Sequence, residues 1–202
     1  MKERPILFSA PMVRAILDGK KTQTRRVVKP IPPYEFALCD AKGCCCWAET
    51  GDESDEWWPN DGPLRCPYGT IGDRLWVREA YCEANDRGAE IRMPFLYRAD
   101  KGLKGNKWWA DKPNLKWRPS IHMPRGVSRI TLEITNIRVE RLQEISIEDV
   151  LKEGIPKEKT ETEHWREMTA DQFILLWESI NGKGSWEANP WVWVIEFKRI
   201  TL

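Results

Sequence analysis

The chain has 202 residues, a net charge of +1 and 41% hydrophobic residues, the balance of a single globular domain and not of a fibrous or disordered chain. No apolar run approaches the length of a bilayer span, and Met1-Lys2-Glu3-Arg4-Pro5 leads into a strand-like segment rather than a signal peptide, so no membrane association and a cytoplasmic location are expected. The small net charge conceals alternating blocks: residues 1–30 carry +6, 31–68 carry −6, 69–130 carry +6 and 131–202 carry −5. A protein that coats long duplexes is basic overall. This pattern fits a local site for an anionic ligand, with an acidic segment that limits non-specific phosphate binding.

Ile6-Leu7-Phe8 reads as a short strand. Ser9 or Ala10 then caps a helix with Pro11 in its first turn, where a missing N–H costs nothing. Val13, Ile16 and Leu17 give that helix one apolar face, and Gly19 ends it as a left-handed cap. Residues 30–68 hold six prolines and the run Cys44-Cys45-Cys46, lack periodic apolar residues and read as an irregular inserted loop. A turn at 68–73 leads into a strand over Arg74 to Glu79, and Ile91 to Tyr97 reads as another. Residues 100–118, rich in lysine and tryptophan, read as a second large loop.

Val127 to Leu142 reads as a long or bent strand. Ile130, Leu132 and Ile134 share one face, but Ile137 and Val139 fall on the opposite parity, which predicts a bulge or turn near Thr135-Asn136. Ser146 caps a helix over Ile147 to Glu153, stopped by Gly154 and Pro156. A capping box at Thr169-Ala170-Asp171-Gln172 opens a second helix, with a stripe of Phe173, Leu176, Trp177 and Ile180 and a stop at Gly182. The last strand, Trp191 to Ile200, turns Trp193, Ile195 and Phe197 one way and Val192, Val194 and Glu196 the other. Strands outnumber helices and are joined mostly by loops, which predicts an α+β fold with a curled sheet or small barrel and flanking helices.

The most informative stretch is Gly19-Lys20-Lys21-Thr22-Gln23-Thr24-Arg25-Arg26. Its four cations within seven residues repel one another unless an anion or carboxylates share the site. Its two threonine hydroxyls can bond a phosphate, a base edge or a reacting carbonyl. A solvated basic loop is the bland alternative.

Together with Gly72-Asp73-Arg74-Leu75-Trp76-Val77, the passage ending in Glu153-Gly154-Ile155, and the closing Val192-Trp193-Val194-Ile195-Glu196-Phe197, this octamer resembles the ASCH family of the PUA-like fold. Trp117-Arg118-Pro119-Ser120-Ile121-His122-Met123-Pro124 is similar to ASCH proteins carried by phages and prophages. The resemblance covers roughly half the chain. It implies one domain over residues 1–202, a mixed and partly open PUA-like β-barrel, and two large insertions at about 30–68 and 100–118. RNA binding is one implied activity. Hydrolysis of the amide of N4-acetylcytidine, known in one bacterial branch, is the other, and no cofactor is implied. Motif for motif, the catalytic residues implied are Lys21, Thr24 and Glu153, with Glu148 as the alternative carboxylate.

In such a site Thr24 is the nucleophile, and Lys21 acts as its base if its pKa falls. Desolvation and the cations Lys20, Arg25 and Arg26 push it down, while Glu153 pushes it up. Arg25 or Arg26 stabilises an oxyanion. A regular strand sets Lys21 and Thr24 on opposite faces, so their convergence requires a non-regular turn.

Further contacts to RNA or a modified nucleoside are expected from Thr22, Trp76, Arg78, Arg118, His122 and Trp193, and from the exposed loop holding Lys107, Trp108, Trp109 and Trp117. For Trp76 and Trp193, on alternating strands, a core position is the favoured reading. No metal is expected: Cys39, Cys44, Cys46 and Cys66 are the residues a zinc would use, but no CxxC pair is present. A non-catalytic RNA-binding module, or a phage interaction protein with a vestigial cleft, is the alternative to an enzyme.

Overall fold

The computed structural model describes residues 1–29, 36–38, 44–47, 64–83, 95–100, 115–157 and 164–200. In chain order the elements are β1 (Glu3–Leu7), α1 (Ala10–Leu17), β2 (Gln23–Val27), β3 (Phe36–Leu38), β4 (Cys44–Trp47), β5 (Leu64–Arg65), β6 (Arg74–Arg78), β7 (Tyr81–Glu83), β8 (Phe95–Tyr97), β9 (Thr131–Arg141), α2 (Ile147–Lys152), α3 (Trp165–Asn181) and β10 (Trp191–Ile200). The expected α+β class holds.

Five strands form a mixed sheet in the order β1-β6-β9-β10-β2. β1 runs parallel to β6, and the other pairings are antiparallel. β1 and β2 are the two edges, and no backbone ladder joins them among the described residues. A side chain does: Arg26 Nη2 donates to the Leu7 carbonyl at 2.7 Å.

The long β9–β10 pair carries the expected irregularity. Glu196 pairs with Asn136 and Phe197 with Ile134, so Thr135 is left over as a bulge. The bulge restores parity, and Leu132, Ile134, Ile137 and Val139 all reach one core. That core also takes Ile6, Leu75 and Val77, the Trp193, Ile195 and Phe197 face of β10, and Val13 and Ile16 of α1. Val192 and Val194 enter a second core with Val150 of α2 and Phe173 and Trp177 of α3. Burial of both faces explains the nearly unbroken apolar run of β10.

Local signals set the helix ends. Pro11 lies in the first turn of α1, and Gly19 follows it at φ +70°. The Ser146 hydroxyl accepts from the Asp149 backbone N–H at 3.1 Å and opens α2. α3 departs from expectation. It begins at Trp165, and the Thr169 hydroxyl donates to the Trp165 carbonyl at 2.6 Å, so this threonine is inside the helix and does not cap it. The Pro-rich insertion also departs: β3, β4 and β5 pair antiparallel into a small sheet. β7 and β8 form a separate hairpin-like pair, and residues 91–94 and 101–114 lie outside the described residues.

Candidate functional site

The basic octamer straddles the junction between α1 and β2. The β2 ladder starts only at Gln23, so Lys20 to Thr22 form the non-regular turn that convergence of Lys21 and Thr24 requires. The turn is tied on both sides. Lys21 N–H donates to the Ala15 carbonyl at 3.0 Å, and Thr22 N–H donates to the Lys152 carbonyl at 2.9 Å. The second bond brings the end of α2 onto the start of β2.

Lys21 is 2% exposed. Its Nζ donates to Glu153 Oε2 at 2.7 Å and to the Glu153 backbone carbonyl at 2.8 Å. An ammonium has three donors, so one position of this nitrogen has no protein acceptor among the described residues. Nζ also lies 5.6 Å from the centroid of the Phe8 ring, whose face carries Arg26 as well. Burial pushes the Lys21 pKa down. Glu153 opposes the shift, and Arg26 and Arg25 reinforce it, for a net fall below the usual lysine range. Gly154 permits this approach. Its φ is +89°, and a Cβ there would fall 2.8 Å from Ala15 Cβ and 3.0 Å from Lys21 Cβ.

Thr24 and Arg25 lie on opposite faces of β2. Thr24 is opposite Ile195 and follows the main-core face, while Arg25 is opposite Val194 and faces α2. Thr24 is 2% exposed, and its hydroxyl makes no hydrogen bond among the described residues. It lines a narrow cavity of about 50 Å³ together with Arg26, Glu153, Met12 of α1 and Leu176 and Trp177 of α3. This throat runs along the unpaired edge of β2. A cavity of about 370 Å³ adjoins it through Met12, Glu153 and Leu176, and one of about 450 Å³ adjoins it through Arg26, Val27 and Asn181.

Of the two arginines expected to face an oxyanion, Arg25 is instead bonded to carboxylates. Its guanidinium bonds Glu153 Oε1 at 3.2 Å, Asp149 Oδ2 at 3.0 Å and Glu140 Oε1, and Gln23, with its amide oxygen toward the guanidinium, accepts at 2.6 Å. Arg138 joins the same carboxylates, at 2.6 Å to Asp149 Oδ2 and 2.9 Å to Glu140 Oε2, and also pairs with Glu196. Lys152 completes the cluster with Asp149 at 3.2 Å. Burial raises the Asp149 pKa, but the bonds from Lys152 and Arg25 and the Arg138 charge outweigh it and leave the carboxyl below its usual range. The network locks Glu153 Oε1 and leaves Oε2 to Lys21.

Other expected site residues lie elsewhere. Lys20 is a surface group, its side chain 68% exposed and paired with Asp18, and it does not contribute to the Lys21 shift. Thr22 is exposed and serves through its backbone, its carbonyl accepting from Phe197 N–H at 2.8 Å. Trp193 is in the main core. Trp76 is buried on β6, three strands from β2, with the Arg78 guanidinium 4.7 Å from its ring centroid. Arg118 pairs with Glu83 and bridges to Tyr81, while the exposed His122 accepts from the Tyr81 hydroxyl through its backbone. None of these lines the throat or its two adjoining cavities. Trp117 is half-buried, and Lys107, Trp108 and Trp109 lie outside the described residues. Glu148 is exposed on α2, so Glu153 is the carboxylate that meets Lys21. Of the zinc candidates, Cys39 and the side chains of Cys44 and Cys46 lie outside the described residues. Cys66 is buried in the main core, and desolvation pushes its thiol up to about 11, so it keeps its proton and is a poor metal ligand.

The sequence pattern did not disclose Glu140, Asp149, Arg138, Glu196 or Gln23. Arg138 and Glu140 fall between apolar positions of β9, a parity that marks them as facing α2, but only the fold brings them to Arg25. Compared with protein-family models, curated proteins and solved structures, the chain matches none of them significantly. The functional reading therefore rests on the site.

Proposed function

We propose that this chain is an RNA- or nucleoside-directed amide hydrolase of the ASCH type, acting on N4-acylated cytidine through Lys21, Thr24 and Glu153. The observation that carries the reading is the buried Lys21–Glu153 pair, whose Glu153 lines a cleft that also takes Thr24, a buried residue whose hydroxyl has no hydrogen bond among the described residues. The mixed sheet, whose edge strands meet through Arg26 and Leu7, is consistent with a partly open PUA-like barrel.

The chemistry follows from the geometry. Glu153 takes two N–H bonds from Lys21 and fixes Nζ. The third position of that nitrogen is a lone pair once the amine is neutral, and burial favours the neutral form. The amine takes the Thr24 proton while Oγ1 attacks the acyl carbonyl carbon. Arg26, the octamer guanidinium that lines the throat without a carboxylate partner, stabilises the oxyanion. The proton passes from Lys21 to the leaving N4 amine as the C–N bond breaks, which releases cytidine and leaves an acyl ester on Thr24. Water, deprotonated by Lys21, hydrolyses the ester, releases the carboxylic acid and restores the hydroxyl.

The test is incubation with N4-acetylcytidine, and with RNA carrying it, alongside Lys21→Ala and Thr24→Ala. Cytidine release by the native chain, abolished in both variants, supports the reading. Binding without release points to an RNA-binding module, and neither binding nor release contradicts both.

A further inference from the structure

The three cavities form a series. The throat shares Met12, Glu153 and Leu176 with one neighbour and Arg26, Val27 and Asn181 with the other, while the two neighbours share no residue. The throat therefore lies between them, and the two ends differ in chemistry. At the first end, Pro11, Ile155, Pro156 and Leu175 make an apolar lining in which Glu153 is the only charged side chain among the described residues. At the second, Lys29 and Arg26 are the charged side chains, beside Tyr68 and Ser185. Among the described residues no carboxylate lines it, and the Ser185 hydroxyl is buried without a partner. A throat of about 50 Å³ is too narrow for a whole nucleoside, so a ligand that places an amide there extends into both ends.

We propose that the cavity of Lys29, Tyr68 and Ser185 is a nucleotide phosphate subsite, so that the substrate is a phosphorylated cytidine and not the free nucleoside. The inference rests on the hydrolase reading for the identity of the base. It adds a direction: acyl group toward Pro156, ribose and phosphate toward Lys29. Two cations facing a cavity with no counter-carboxylate among the described residues attract a dianion, and the Lys29 side chain is exposed. Tyr68, half-buried against the main core, offers a fixed aromatic surface to the sugar or base.

The test uses equilibrium binding by calorimetry with the full chain, so it does not depend on turnover. The probes are cytidine, its 5′- and 3′-monophosphates, and a short single-stranded oligocytidylate, against the native chain, Lys29→Ala and Lys198→Ala. Lys198 removes the same charge on β10, where it pairs with Glu133. The expected result is that a monophosphate binds at least about tenfold tighter than cytidine, the scale of one charged hydrogen bond. Lys29→Ala removes that preference, Lys198→Ala keeps it, and added salt weakens it. Competition by the oligonucleotide at equal strength assigns the phosphate to RNA, and competition by the mononucleotide alone assigns it to a free nucleotide. Equal binding of cytidine and both monophosphates, a preference that survives Lys29→Ala, or no binding of any probe overturns the proposal. If the phosphate preference holds but acylated cytidine is not cleaved, the hydrolase reading fails and the subsite stands.

Discussion

Lys21 and Thr24 differ in what their removal does to the fold. The Thr24 hydroxyl has no protein partner among the described residues, so Thr24→Val strands none of their polar groups. We expect thermal stability to change by less than about 1 kcal/mol while cytidine release is lost, measured as melting temperature and turnover on one preparation. Lys21 is different, because its loss leaves Glu153 with Arg25 alone. Lys21→Met is expected to destabilise by about 3–5 kcal/mol, the range for breaking a buried ion pair. Adding Glu153→Gln removes the stranded charge and recovers part of the loss. Denaturant unfolding of the two single variants and the double variant measures this coupling, and strictly additive losses would contradict it. At this scale the sequence disclosed the chemistry-bearing residues of the octamer but not their partners. Arg25 and Arg26 are adjacent and equal in charge, and only strand alternation sends one into a carboxylate network and leaves the other facing the Leu7 carbonyl.

The elements deliver these groups through their ends. α2 stops at Lys152, Glu153 caps it, and Gly154 turns the chain away at positive φ against Ala15 and Lys21. Gly154→Ala combines a left-handed backbone with a sub-van der Waals approach. It is expected to lower stability by more than about 1 kcal/mol and to displace Lys21, so activity falls further than folding alone explains. A variant with unchanged melting temperature and turnover would count against the close contact. The strong local signals were legible: the Ser146 cap, the glycine stops, the Thr135 bulge and all of β10. The start of α3 was not, because a threonine followed by an acidic and amide-bearing turn reads as a cap whether or not a helix already precedes it. The small β3-β4-β5 sheet was hidden by prolines that flank strands of only two to four residues.

For the whole molecule, the open question of the sequence was whether the octamer would be a solvated loop or part of a cleft. No local pattern decides this, since the cleft joins the unpaired edge of β2 and its neighbour α1 to α3, which lies far along the chain. The apolar cavity beyond Glu153, about 370 Å³, is larger than an acetyl group needs. Longer N4-acyl chains are therefore expected to be cleaved with kcat/KM no lower than for acetyl. A steep fall with each added methylene would show that this end of the cleft is closed to the acyl group.

The central claim is that burial turns Lys21 into a base, and the pH dependence of kcat/KM on N4-acetylcytidine tests it most directly. Lys21 acts only when neutral, and its pKa lies below the ordinary lysine value of about 10.4. The rate should rise with pH through a single ionisation and level off before that value is reached. A rate flat across the neutral and alkaline range, or still rising through the ordinary lysine pKa, would contradict the account.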